Sequence, residues 1–92
     1  MIGGTDVQLG VQFTGDVPAN STRRWFTHSW DANWRVHWIV VPTGPIQDAA
    51  PQIEWKIQVE RQAANLVKYY IEVRNVSPRS VNIEARYAIL NV

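Results

Sequence analysis

Apolar and polar residues alternate with a period of two along most of this chain, a pattern that suits extended backbone with one buried and one wet face. Val7, Leu9, Val11 and Phe13 alternate with Gln8, Gly10, Gln12 and Thr14. Ile53, Trp55, Ile57 and Val59 alternate with Glu54, Lys56, Gln58 and Glu60. The same holds for Val67, Tyr69, Ile71 and Val73 against Lys68, Tyr70, Glu72 and Arg74, and for Val81, Ile83, Ala85, Tyr87 and Ile89 against Asn82, Glu84, Arg86 and Ala88. Trp34, Val36, Trp38 and Val40 make a further strand with Arg35 and His37 on its other face, and residues 24–30 are read as one more.

Turn-forming residues separate these runs. Loops are expected at 15–21, from 42 to about 51, and at 75–80, and the prolines fall only in these loops. Gln62, Ala63 and Ala64 favour helix, but the clean alternation on either side predicts a hairpin loop at about 61–65. Trp30, Trp34 and Trp38 have a helical spacing of four, yet the β-branched run from Val36 to Val41 predicts strand from about Trp34, with a tight turn over 29–33. Short strands with polar turns imply an all-β fold, a small antiparallel β-sandwich of six or seven strands forming a single domain over residues 1–92. Tyr69 to Leu90 reads strand, Asn-x-Ser-Pro turn, strand. That arrangement is similar to immunoglobulin-like and related sandwich modules, a likeness of fold that implies nothing about function.

Several function classes are disfavoured by composition. With no cysteine there is no disulfide, thiolate metal site or cysteine nucleophile. Nine basic residues against eight acidic ones, balanced in both halves, give no reason to expect a nucleic-acid partner. The longest apolar run, Trp38 to Val41, is too short to span a membrane. Met-Ile-Gly-Gly-Thr-Asp has no basic and apolar signal-peptide pattern, and the compartment is left open.

Chemistry-bearing motifs are absent. His28 and His37 lack the spacing of a metal pair, so no metal or cofactor is expected. Ser29, His28 and Asp31 make a triad only on paper, because neighbours in a regular strand face opposite sides. No Gly-x-Ser-x-Gly elbow or phosphate loop occurs, Gly3-Gly4 being an isolated dipeptide. An enzyme is therefore not expected. Asn20-Ser21-Thr22 and Asn75-Val76-Ser77 match the N-glycosylation pattern in predicted loops.

The informative stretch runs from Arg23 to Trp38 and holds four of the five tryptophans. Trp34 and Trp38 share parity with Val36 and Val40 and are assigned to the core with Trp55, Tyr69 and Tyr87. Trp25 and Trp30 lie an odd number of residues apart, so one regular strand cannot bury both, although a β-bulge would evade this conflict. An aromatic left outside beside Arg and His suits carbohydrate binding, a protein interface or single-stranded nucleic acid, the last disfavoured by charge. The expectation is a non-catalytic, lectin-like module that binds a glycan through Trp25, His28, Trp30, Asp31, Asn33 and Arg35. The alternative is an assembly subunit that contacts a protein partner or forms a homo-oligomer through the same aromatic surface. A charged fraction of 18%, below the roughly 25% of ordinary soluble domains, fits a surface that meets a partner.

Overall fold

A computed structural model describes residues 6–44 and 50–91. Six strands form: β1 (Gln8–Val17), β2 (Thr22–Asp31), β3 (Val36–Gly44), β4 (Ile53–Ala63), β5 (Leu66–Asn75) and β6 (Val81–Ile89). They make two three-stranded sheets, ordered β1-β6-β3 and β2-β5-β4, in which every pairing is antiparallel. Among the described residues there is no helix. The fold is the small β-sandwich that the alternation predicts. The chain changes sheet at every connection except the β4–β5 hairpin.

The two central strands carry the core, because only they are flanked on both edges. Val67, Tyr69, Ile71 and Val73 of β5 face Val81, Ile83, Ala85 and Ile89 of β6, all buried. Trp38 and Val40 of β3, Trp30 of β2 and Val17 of β1 complete it. β4 is an edge strand and is covered less well: Trp55, assigned to the core by parity, pairs with the buried Val73 yet is 39% exposed.

Strand limits depart from the expectation in ways that have local causes. β1 runs to Val17, which shortens the first loop to 18–21, and β4 and β5 extend until only Ala64 and Asn65 turn. β2 continues to Asp31, the tight turn falls at 32–34, and β3 begins at Val36 rather than Trp34. Pro42 lies inside β3 instead of in a loop, which an edge strand tolerates, and the register slips between it and Gly44. The rest of that predicted loop, residues 45–49, and the Gly3-Gly4 dipeptide lie outside the described residues.

Two bulges decide which aromatic faces where. In β2 the register shifts between Thr27 and Trp30, and Ser29 takes a left-handed φ of 66°. The added residue restores parity, so Trp25 and Trp30 both point inward and Phe26 is left outside. In β1 the register shifts between Val11 and Phe13. Phe13 and Val17 then face the core, whereas Leu9 and Val11, expected to share Phe13's buried face, point into solvent. Gly10 takes the inward place opposite Tyr87. A Cβ there would lie 2.5 Å from the Tyr87 ring, so any larger residue requires that ring or the strand to shift.

Candidate functional site

The aromatic stretch divides into a core cluster and a surface platform. Trp30 is the hub of the cluster. Its ring meets those of Tyr87 at 5.3 Å, Trp38 at 5.4 Å, Tyr69 at 5.9 Å and Trp34 at 6.3 Å, all edge to face. Its Nε1 donates to Thr27 Oγ1 at 2.9 Å. Burial pushes the Tyr69 hydroxyl above the usual tyrosine value of 10.0. Trp30 thus offers no face to a ligand.

Trp25 is half-buried, stacked on Phe13 at 4.8 Å, with the Arg23 guanidinium 4.6 Å from its ring centre. Arg23 Nη1 also donates to the Asp16 carbonyl, so this group closes the β1–β2 flank of the sandwich. Asp31, Asn33 and Arg35 build the β2–β3 turn. Asp31 Oδ1 accepts from the Asn33 amide at 2.8 Å, Asn91 Oδ1 accepts from the Arg35 amide at 2.7 Å, and Asn91 Nδ2 donates to the Asn33 carbonyl. Of the six residues picked from sequence, only His28 stands on an aromatic surface.

That surface is the outer face of β2-β5-β4. Its middle rung is Phe26, Tyr70 and Gln58; the rung on one side is Arg24, Glu72 and Lys56, and Lys68 with Glu60 follows on the other. Phe26 is 63% exposed. Its ring centre lies 6.3 Å from Tyr70 and 6.4 Å from His28, inclined by 42° and 31°. The Arg24 guanidinium sits 4.2 Å from the Tyr70 ring centre and donates to Gln58 Oε1 at 3.0 Å. Lys68 Nζ lies 5.5 Å from the Phe26 ring and 5.7 Å from that of Tyr70. The Tyr70 hydroxyl donates to Glu60 Oε1 at 2.6 Å, and Lys56 pairs with Glu72 at 3.4 Å. The result is a row of rings edged by hydrogen-bonding groups of both signs. Phe26 and Tyr70 were absent from the sequence-derived site, although Tyr70 falls on the wet parity of β5, a signal that was available.

His28 and Ser29, expected to face apart, are brought together by the bulge, with His28 Nδ1 and Ser29 Oγ 3.0 Å apart. No hydrogen bond joins His28 to Asp31 among the described residues, and the Asp31 carboxylate is held by its own turn. Nor do three or more His, Asp or Glu side chains converge as a metal site among the described residues. His37 is exposed on the other sheet, as its parity predicts.

The two glycosylation patterns differ in access. Asn75 is fully buried, and its Nδ2 donates to the carbonyls of Val17, Pro18 and Arg79. Ser77 N donates to Asn75 Oδ1, and the Ser77 hydroxyl exchanges hydrogen bonds with the Gln52 backbone. This knot ties the ends of β1 and β5 to the start of β4 and closes Asn75 to modification in the folded chain. Asn20 is exposed at a turn, with φ of 54°.

No protein-family model matches the chain, and no curated protein sequence or solved structure is significantly similar to it.

Proposed function

We propose that this domain is a non-catalytic carbohydrate-binding module whose site is the outer face of β2-β5-β4. The observation that carries the reading is Phe26, a ring left 63% exposed in the middle of a strand, level with Tyr70 and beside His28. The apolar face of a sugar ring stacks on such a plate, while side chains at its edge bond the hydroxyls. Arg24, Lys68 and His28 supply donors there, and Gln58 and Glu60 supply acceptors. Charge favours a neutral ligand: Glu72 shares a rung with Arg24 and pairs with Lys56, and Glu60 shares one with Lys68, so a phosphate backbone would meet carboxylates on the same face. The platform takes the place of the Trp25–Arg35 site expected from sequence, with His28 common to both.

A glycan-array screen of the wild type and Phe26→Ala tests this. Saturable binding to a related set of glycans is expected, weakened about tenfold or more by Phe26→Ala and unchanged by His37→Ala on the opposite sheet. Absence of any saturable glycan binding, or binding indifferent to Phe26→Ala, rules the reading out.

A further inference from the structure

The two sheets end in four edge strands, and three of these are interrupted. β1 carries the bulge between Val11 and Phe13, β2 the bulge between Thr27 and Trp30 with Ser29 in the left-handed region, and β3 has Pro42 with a register slip after it. Each device keeps an edge from templating another strand. β4 has none over most of its length. Ile53 to Arg61 pair with β5 in unbroken register, with neither glycine nor proline among them, and the other edge of β4 has no neighbouring strand among the described residues. The core-facing side of β4 is also incompletely covered: Trp55 and Val59 pair with the buried Val73 and Tyr69, yet are 39% and 57% exposed. Leu9, Val11 and Ile39, exposed on the outer face of β1-β6-β3, are by contrast a small apolar patch of the kind that monomers commonly leave open.

We infer that the free edge of β4 pairs with the same edge of a second copy, antiparallel and centred on Gln58, so that two β2-β5-β4 sheets join into one of six strands. Charge selects the register. In antiparallel self-pairing, residues equidistant from the two-fold axis lie opposite one another and on the same face. With the axis at Gln58, Lys56 of each copy meets Glu60 of the other on the outer face, and Ile57 meets Val59 on the inner face. Each pair occurs twice. An axis at Ile57 would set Glu54 against Glu60, and an axis at Lys56 would set that residue against itself, both like-charge contacts. Lys56, a residue type that discourages pairing on an open edge, here gains a carboxylate. Both groups can serve: Lys56 keeps Glu72 at 3.4 Å with donors to spare, and Glu60 accepts from the Tyr70 hydroxyl through Oε1 alone. The ladder from Trp55 to Arg61 adds about six to eight backbone hydrogen bonds, and Val59 gains apolar cover that its own chain does not give. Because the axis stands perpendicular to the joined sheet, both Phe26 platforms lie on one face, on β2 strands about 24 Å apart, five strand spacings. That bivalency rests on the glycan reading; the pairing does not.

Sedimentation velocity of the full chain over a wide concentration range, with charge reversal at the two paired positions, is the test. A concentration-dependent species of twice the chain mass is expected. Lys56→Glu and Glu60→Lys each weaken association roughly tenfold or more, while the far-ultraviolet circular dichroism stays unchanged. The double variant, which restores opposite charges across the axis, dimerises again. In the wild type, the backbone amides of residues 55–61 exchange more slowly as concentration rises. Phe26→Ala remains dimeric, which separates this result from any failure of glycan binding. A wild type that stays monomeric throughout, a dimer indifferent to both single reversals, a folded double variant that fails to dimerise, or β4 amides that exchange alike at every concentration overturns the inference.

Discussion

Ser29 shows how much one backbone angle decides in this protein. A left-handed φ costs a non-glycine residue about 1–2 kcal/mol, and the Ser29 amide freed from the ladder is accepted by Gln62 Oε1 at 2.9 Å, reaching across from β4. The cost is offset by what the bulge permits, since without it Trp25 and Trp30 could not both turn inward. Ser29→Gly should therefore keep or raise stability, and Ser29→Val should lower it by about 1–3 kcal/mol, because a β-branched side chain strains that region further; urea denaturation of the two variants measures both. The odd Trp25–Trp30 spacing made a conflict legible in the sequence, but serine gave no sign that the chain would bulge there, as glycine would have done. The expected site was therefore centred on Trp30, which is core, and the exposed ring fell to Phe26.

Among the strands, legibility followed coverage. β5 and β6, flanked on both edges and packed on one face, were readable residue by residue, since each inward position had one place to go. β1 was not. Val7, Leu9, Val11 and Phe13 alternate without a break, yet alternation states only that two faces differ, and the bulge before Phe13 sends Leu9 and Val11 outward. The deciding contact is long-range: the Tyr87 ring of β6 already fills the inward place at Gly10. Gly10→Ala should push the first half of β1 away from β6 and cost about 1–3 kcal/mol. Hydrogen exchange checks it at strand level, with faster exchange expected for the backbone amides that pair residues 8–11 with 86–89 and unchanged exchange in β2, β4 and β5.

At the level of the molecule, the all-β sandwich was legible because turn chemistry and alternation agreed along the chain. The sheet order was not, because which strands pair depends on contacts between residues far apart in sequence. Those same contacts give the two outer faces their different characters, one aromatic and polar, the other apolar. They also set a timetable for synthesis. The sheet holding β1 is joined only through β6, the last of the six strands to leave the ribosome, whereas β2, β4 and β5 are all out before it. Through most of translation β1 has no edge to pair with, and its Leu9–Val11 ridge stands open to any passing hydrophobic chain. Nascent chains stalled just before β6 should accordingly protect amides of β2, β4 and β5 while β1 exchanges freely and recruits chaperone; protection of β1 at that length would show that it closes by some route other than β6.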